Sequence, residues 1–364
     1  MSGKIIAPRL NRGAVSLVLV VLWISPAAGE TSSVSDVSEP FVLGYYPAWV
    51  KETYPAGSVD FTILTHVIHA FAWPEADGSI SLWDGFLYPD IVEKCHRAGR
   101  KILVAFGGWG NCKGFPPMSA TPETRACFIG NVMEFCDRYG YDGIDIDWEF
   151  PANPGERDNL TKLVTELRAE ADKLGKPFLI TMAVSAGTWS SDHNDYGALK
   201  SKVDWFNDMT YDFYGTWTDR SGHNAPLYAA QESVDTSIRF LTAQMGIPPE
   251  KILLGLPFYG RRFKTSMLFG PKTGGEGINY RDIVTRLDEG WTRRWDDVCM
   301  VPYLVSPARD SMIFYDDPES IAIKCAYSRE KNLRGVMIWS IGSDFIDGRQ
   351  PLLETIGKTF RLNK

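Results

Sequence analysis

The sequence predicts an α/β fold in which eight strands close into a (β/α)8 barrel, the TIM barrel, with a small insertion between the seventh and eighth strands. Three observations lead to this prediction. Short apolar, β-rich runs recur along the chain, helical stretches separate most of them, and eight such units occupy residues 41–360. Apolar runs that alternate with helices are typical of a parallel sheet covered by helices, and eight units in about 300 residues favour a closed barrel.

The predicted strands are short runs rich in β-branched and aromatic residues. In order they are FVLGYY (41–46), ILTHVIHAFAW (63–73), KILVAFGGW (101–109), YDGIDIDWEF (141–150), PFLITMAVSA (177–186), VDWFNDMTYDF (203–213), ILLGLPFYG (252–260) and GVMIWSIG (335–342). Amphipathic helices are predicted between them, for example at 122–140 and 156–175. The first of these has a proline near its start and a glycine at its end, which are signals for the two ends of a helix.

The gap between the seventh and eighth predicted strands, residues 261–334, is too long for one helix. It contains the segments WTRRWDDVCMVPYLV and SMIFYDD, which have their own apolar residues. We therefore expect a small insertion at residues 262–315.

An open, doubly wound sheet is the alternative fold, and its usual signal is a glycine-rich phosphate-binding turn. Gly108 and Gly110 are followed by Lys113 where that turn needs a third glycine, and Gly275 is followed by Glu276 where a P-loop needs lysine. The five histidines form no metal-ligand cluster in the sequence, and no GxSxG motif is present. We expect neither a cofactor nor a metal ion.

The N-terminus has the layout of a secretory signal peptide. Three basic residues precede an apolar run at 14–24, and small residues follow at 26–29. The run of 11 residues is shorter than the about 20 that a membrane span needs, although an uncleaved anchor is the alternative. We expect a signal peptide at 1–29, a polar leader at 30–40, and a secreted monomer without membrane attachment after cleavage.

The net charge is −7, and removal of the three basic residues with the signal would make it −10 (−7 − 3). An acidic surface argues against nucleic acid as a partner. Six cysteines in an exported chain are consistent either with disulfides or with buried free thiols, and their spacing decides neither. They are Cys95, Cys112, Cys127, Cys136, Cys299 and Cys325.

The segment DGIDIDWEFP (142–151) alternates between apolar and acidic residues. One face of a strand would carry Ile144, Ile146 and Trp148; the other would carry Asp145, Asp147 and Glu149. In a barrel, the acidic face would line the axis and Glu149 would lie at the mouth, where catalysis takes place. Close, buried carboxylates cannot all ionise, so a raised pKa is expected for Glu149, as a general acid needs. A solvated edge strand or a cation site is the alternative.

The same segment resembles the DGxDxDWE signature of family-eighteen glycoside hydrolases, the chitinases and their relatives, which are (β/α)8 barrels. The resemblance extends over most of residues 41–360. Further similar motifs are GYYPAW (44–49), AFGGW (105–109), MTYD (209–212), LGLPFYGR (254–261) and MIWSIG (337–342).

The resemblance implies retaining hydrolysis of a β-1,4 bond beside an N-acetylglucosamine, in which the acetamido oxygen of the substrate is the nucleophile. Glu149 would protonate the leaving oxygen and then activate water. Asp147 would hold the acetamido N–H and stabilise the positive intermediate, while Asp145 would share its proton and hydrogen bonds. Tyr211 would donate to the acetamido group, and Asp212 would contact the sugar and influence Glu149.

Aromatic side chains suit a pyranose, whose C–H face stacks on a ring. By resemblance, Trp339 would form the floor of the cleaved-sugar subsite, and Trp109 and Trp49 are candidates for neighbouring subsites. For Trp49, Trp73, Trp189 and Trp217, burial in the core is the favoured alternative. Further candidates for substrate contact are Tyr45 and Phe71, which could equally fill the barrel, Met209, which could pack inside it, and Arg261, which could instead pair with an acid.

One position departs from the family pattern. Ala105 stands where many members have a serine, so one hydroxyl that could serve the buried Asp145 is missing. We expect Tyr45 or water to take its place.

The sequence supports a secreted endochitinase that acts on chitin or N-acetylchitooligosaccharides. A non-catalytic, chitin-binding lectin-like member is one alternative, and an endo-β-N-acetylglucosaminidase acting on N-glycans or peptidoglycan is another. The modest insertion predicts a shallow, open groove and internal cleavage.

Overall fold

The computed structural model describes residues 39–188 and 193–362. The predicted signal peptide at 1–29, nearly all of the leader at 30–40, and Trp189 lie outside the described residues. Within the described residues, no helix is both long and apolar enough to cross a membrane.

The described strands include all eight that the sequence predicts. They are β1 (Phe41–Pro47), β2 (His66–Pro74), β3 (Ile80–Leu82), β4 (Lys101–Gly107), β5 (Gly143–Asp147), β6 (Leu179–Ser185), β7 (Trp205–Met209), β8 (Ile252–Pro257), β9 (Tyr259–Lys264), β10 (Thr273–Asn279), β11 (Thr292–Asp296), β12 (Val301–Val305), β13 (Ser311–Phe314) and β14 (Gly335–Trp339).

Eight of these strands form a closed parallel barrel in the order β1, β2, β4, β5, β6, β7, β8, β14, and β14 pairs back with β1. This confirms the predicted TIM barrel. The short strand β3 pairs antiparallel with the end of β2 as a hairpin. The predicted run 252–260 turns out to hold two strands, because β8 ends at Pro257, which has no N–H for a ladder, and β9 begins at Tyr259.

Helices lie outside the barrel, and most of them begin with proline in the first turn. They are α1 (Pro89–Arg97), α2 (Phe115–Ala120), α3 (Pro122–Tyr139), α4 (Pro154–Ala171), α5 (Tyr196–Leu199), α6 (Val234–Arg239), α7 (Tyr280–Asp288), α8 (Pro318–Glu330) and α9 (Pro351–Phe360). The predicted limits of α3 are confirmed. Thr121 caps its N-terminus, and Gly140 ends it with a φ of 77° that favours glycine.

The insertion between the seventh and eighth barrel strands is a five-stranded antiparallel sheet in the order β10, β9, β13, β12, β11, with α7 beside it. The sheet runs from Tyr259 to Phe314, against the predicted range of 262–315. It follows β8 almost directly, so its first strand starts at the mouth of the barrel.

Two apolar cores lie on the two sides of the barrel wall. The larger core, between strands and helices, includes Ile144, Ile146 and Trp148. The smaller core fills the barrel and includes Tyr45, Phe71 and other side chains at inward positions. The predicted alternation of β5 is therefore confirmed: its apolar face packs against helices, and its acidic face points into the barrel.

Candidate active site

Three acids stand in line on and just beyond β5. Asp145 is fully buried, Asp147 is 4% exposed, and Glu149 is half-buried two residues after the strand ends. The side chains of a strand alternate, so all three project to the barrel side. The line of acids therefore runs from the barrel interior to its mouth.

The backbone of β4 approaches this line closely because of two glycines. Gly107 has a φ of 116°, and a Cβ placed there would lie 2.1 Å from the carbonyl oxygen of Asp147. A Cβ on Gly108 would lie 2.8 Å from the ring of Phe71. Side chains at these positions would push the two strand ends apart, so the AFGGW motif serves close packing beside the acids.

Asp145 is held by three donors inside the barrel. Tyr45 Oη donates to Oδ2 at 2.7 Å, and Thr181 Oγ1 and Asn207 Nδ2 donate to Oδ1 at 2.5 Å and 2.9 Å. Burial raises the pKa of Asp145 to about 6, while these hydrogen bonds oppose the rise. Tyr45 thus makes the contact expected of it beside Ala105.

Thr181 and Asn207 were missed in the sequence. A signal for them was present, because each is a polar residue at an inward position of a predicted barrel strand, and Thr181 pairs directly with Asp145 in register.

Asp147 has much less support than Asp145. Its Oδ1 is buried and has no hydrogen-bond partner among the described residues. Its pKa is raised well above the usual value, first by burial and then by the charges of Glu149 and Asp145. Within the described residues, no hydrogen bond joins Asp145 to Asp147, so the expected sharing of a proton between them stays a prediction. An unpartnered oxygen leaves Asp147 free to accept a hydrogen bond from a ligand.

Glu149 has the raised pKa that the sequence predicts. Burial is the largest cause and the negative charge of Asp212 the next, and together they raise the pKa to about 7. The backbone N–H of Trp109 opposes this by stabilising the carboxylate. A carboxyl group with a pKa near neutrality can give a proton and take one back, as general acid and base catalysis requires.

Asp212 lies just after β7 in a left-handed backbone conformation, with a φ of 62°. Its carboxylate accepts hydrogen bonds from Tyr259 Oη at 2.6 Å and from Arg261 Nε at 2.9 Å, and Arg261 Nη2 lies 2.6 Å from it. Arg261 therefore pairs with an acid, which was one of its two predicted roles. Trp217 covers the guanidinium group of Arg261, whose carbon lies 5.0 Å from the ring centroid.

Tyr211 lies between Asp212 and the barrel interior. Its Oη is 3.8 Å from Met337 Sδ, and its ring meets the ring of Tyr259 edge-on at 6.0 Å. Tyr211 and Met209 both pack against the inner core. A sulfur is a weak acceptor, so the Tyr211 hydroxyl remains available to a better one.

Aromatic rings form a continuous surface at the mouth. Trp339 is half-buried, with its ring centroid 5.6 Å from that of Phe71 and 5.7 Å from that of Tyr45. Trp49 lies 6.3 Å from Phe71, and Trp83 lies 5.7 Å from Trp49. The surface therefore leads from the buried Phe71 outward to two tryptophans that are each nearly half exposed.

Trp83 and Trp217 are further functional candidates. The sequence analysis did not single out Trp83, and it favoured a position in the core for Trp217. Trp83 follows the β2–β3 hairpin, whose position beside Trp49 has no sequence signal. Trp217 is 56% exposed rather than buried. Trp109 is 77% exposed, which excludes the alternative of core packing for this residue.

One group of metal-ligating residue types occurs within the described residues, away from the acids. His223, Asp296 and Cys299 have donor atoms within 4.8 Å of one another. This group could not be recognised in the sequence, because 73 residues separate His223 from Asp296. His223 Nε2 lies 2.9 Å from Asp296 Oδ2, while Oδ1 accepts two backbone N–H groups. Both oxygens are thus occupied, and the pair ties the β7–α6 connection to the insertion.

The sequence of the chain matches known proteins over most of its length. The model of the family Glycosyl hydrolases family 18 matches residues 42–344. Probable chitinase 2 of Drosophila melanogaster is 31% identical, over 97% of this chain and 83% of that protein. Chitinase A1 of Niallia circulans is 28% identical over 91% of this chain, which spans 60% of that protein.

Solved structures resemble the fold equally well. The Group IV chitinase of Ostrinia furnacalis, solved in complex with allosamidin, has a TM-score of 0.83 and 29% identity, covering 88% of this chain and 99% of that one. A family 18 chitinase of Cycas revoluta, solved with (GlcNAc)3, has a TM-score of 0.81 and 26% identity, covering 88% of this chain and 99% of that one. With the matching family model and the Drosophila relative, this establishes that the chain belongs to the family 18 glycosyl hydrolases.

Proposed function

We propose that the protein is a chitinase that hydrolyses internal β-1,4 bonds of N-acetylglucosamine polymers with retention, using the acetamido group of the substrate as nucleophile. The observation that carries this proposal is the line of acids: a carboxyl group with a pKa of about 7 at the mouth, above a buried carboxyl group with a free oxygen. The names of its relatives support chitin as the polymer.

In the first step, the acetamido oxygen attacks the anomeric carbon while Glu149 gives its proton to the leaving oxygen. Asp147 accepts the acetamido N–H and stabilises the positive charge of the oxazolinium ion, and Tyr211 donates its hydroxyl to the acetamido group. In the second step, the Glu149 carboxylate takes a proton from water as that water opens the oxazolinium ring. The acid is thereby restored, and retention follows from two inversions at the same carbon.

The environment of each acid suits its role. Glu149 is half-buried, so it can reach a glycosidic oxygen, whereas Asp147 is almost fully enclosed and lies nearer to the barrel floor. When Asp147 is ionised, the low-dielectric site strengthens its attraction to a developing positive charge. Asp145 is anchored by three donors and stays beneath as a fixed negative neighbour.

Internal cleavage is supported by aromatic side chains beyond a single sugar. Trp339 and Phe71 would carry the sugar whose bond breaks. The half-exposed Trp49 and Trp83 would bind further units on one side, and the exposed Trp109 and Trp217 would bind units on the other. Binding several units on both sides of the reacting bond favours an endo-acting enzyme.

We also propose that the protein is secreted as a monomer, with a signal peptide at 1–29, a leader at 30–40 and a catalytic domain at 41–360. The support for secretion is the basic, apolar and small-residue pattern of the N-terminus.

The test is release of reducing ends from N-acetylchitooligosaccharides by the wild-type protein and by Glu149→Gln. We expect cleavage by the wild type and a loss of at least roughly a hundredfold in the variant, because general acid catalysis is removed. Glu134→Gln, on the exposed side of α3, is the matched control and should cleave normally. Binding of the oligosaccharides without cleavage by the wild type would point to a lectin. Cleavage only of N-glycans or peptidoglycan would move the activity to that substrate.

A further inference from the structure

Asn224 is a buried side chain beside the site that the mechanism has not used. It lies in the segment GHNAPL (222–227) of the connection between β7 and α6, and it is 1% exposed. A buried amide keeps its place by its hydrogen bonds, so its partners indicate what it holds.

The partners of Asn224 belong to two elements of the site. Its Oδ1 accepts the backbone N–H of Asp212 at 3.2 Å, and its Nδ2 donates to the backbone carbonyl of Tyr259 at 3.3 Å. Its own backbone carbonyl accepts the N–H of Phe213 at 3.2 Å. Asn224 therefore connects the segment after β7, which carries Asp212, to β9, which carries Tyr259 and Arg261.

These contacts stabilise a strained residue. Asp212 has a φ of 62°, a conformation that costs a residue with a side chain about 1 kcal/mol or more unless its surroundings hold it. The side chain of Asn224 accepts the backbone N–H of Asp212, and the backbone carbonyl of Asn224 accepts the N–H of the next residue, Phe213. In this conformation the carboxylate of Asp212 accepts hydrogen bonds from Tyr259 and Arg261. Both residues lie on β9, the strand to which the Asn224 side chain also donates.

We propose that Asn224 is a positioning residue for the acid of the reaction, because it fixes the backbone of Asp212, whose negative charge acts on Glu149. This inference rests on the proposed role of Glu149. Its consequence is a pH dependence: Asp212 is one of the charges that raise the pKa of Glu149, so a displaced Asp212 should lower that pKa.

Other groups near Glu149 do not depend on Asn224 in this way. Asp147 and Asp145 are held by β5, and Cys112 on the connection after β4 accepts the N–H of Glu149 at 3.2 Å. Among the described residues, the remaining titratable and charged groups that act on it, directly or through Asp212, are Tyr211, Tyr259 and Arg261. A shift caused by Asn224 should therefore act through Asp212.

The experiment is a carboxyl ¹³C-NMR titration of Glu149, assigned with Glu149→Gln, in four proteins: wild type, Asn224→Ala, Asp212→Asn and the double variant. We expect Asn224→Ala to lower the titration midpoint by about half a unit or more, and the double variant to match Asp212→Asn. An unchanged midpoint in folded Asn224→Ala would overturn the proposal. The proposal would also be overturned if Asn224→Ala shifted the midpoint equally in the wild-type and in the Asp212→Asn background.

Asn131→Ala is the matched control, because this amide on α3 donates to the carbonyl of Gly78 at 2.8 Å away from the site. It should leave the midpoint unchanged. If Asn224→Ala does not fold, Asn224→Ser takes its place, because its hydroxyl is too short to make both contacts. The pH profile of oligosaccharide cleavage should show the same shift in its upper limb. The NMR titration needs no substrate and is therefore independent of the cleavage assay. If the wild type does not cleave, the proposed function is contradicted, whereas the role of Asn224 is still decided by the titration.

Discussion

Replacing Glu149 with glutamine should stabilise the folded protein at pH 8 while it removes activity. In the folded state, burial and the negative charge of Asp212 disfavour the charged form of Glu149, which raises its pKa from the ordinary value of 4.5 to about 7. Above pH 7 the wild-type protein must therefore keep a carboxylate in a place that would favour a neutral group. Glutamine has nearly the same shape and carries no charge.

The size of the effect follows from the difference in pKa. A pKa difference of about 2.5 (7 − 4.5) corresponds to about 3 kcal/mol. Because Glu149 is only half-buried, solvent screens part of this energy. We therefore expect glutamine to raise the free energy of unfolding by roughly 2 kcal/mol. The sign depends on pH. A raised pKa favours the folded state fully below pH 4.5, and this contribution is lost as the pH rises through 7, so the gain from glutamine should be present at pH 8 and absent at pH 4.

The assay is urea unfolding followed by tryptophan fluorescence at both pH values, for the wild type, Glu149→Gln and the exposed control Glu134→Gln. The free energy of unfolding of Glu149→Gln should exceed that of the wild type by roughly 2 kcal/mol at pH 8, while the control should differ by less than about 0.5 kcal/mol. The reasoning is refuted if Glu149→Gln is no more stable than the wild type at pH 8, or if its gain is the same at both pH values.

Three further outcomes are expected. Tyr211→Phe should lower kcat on N-acetylchitooligosaccharides roughly a hundredfold with little change in KM, because it removes one donor to the reacting acetamido group; a change mainly in KM would contradict this role. Trp83→Ala should raise KM for long oligosaccharides about fivefold, the effect of about 1 kcal/mol of lost aromatic contact, and leave the shortest substrates unaffected; equal effects on all lengths would exclude an outer subsite. Lys324→Met should lower the free energy of unfolding by about 3–5 kcal/mol, because the fully buried ammonium lies 2.6 Å from the buried Asp316, whose charge would be left unpaired. A loss below about 1 kcal/mol in urea unfolding would show that Asp316 is neutral in the fold.

The features predicted best from the sequence are those that depend on local patterns. The eight barrel strands are continuous apolar runs, and α3 has Pro122 at its start and Gly140 after its end. The three acids of β5 could be assigned to the barrel interior because strand alternation alone decides the face. The predicted strand at 203–213 is longer than the observed β7, which ends at Met209. The cause is again local, because the left-handed backbone of Asp212 cannot continue a strand.

The contacts that could not be predicted join distant parts of the chain. Trp83 meets Trp49 only because a hairpin folds over the barrel mouth, and no periodicity reports that fold. Asn224 reaches Tyr259 across 35 residues, and this depends on how the insertion starts directly after β8. Thr181 and Asn207 are an intermediate case, because alternation places them inside, but the shear of the barrel decides that they meet Asp145.

The pairing of β1 with β14 has a consequence for the order in which the protein can mature. These strands begin at Phe41 and Gly335, so during synthesis β1 must wait for a partner strand that lies almost 300 residues later in the chain. Until then the sheet has two open edges, which are sites for association with other chains. The acids of β5 remain in contact with water until β1 pairs with β14 and the barrel closes. Any truncation before Trp339 should therefore give an aggregating product rather than a smaller working enzyme.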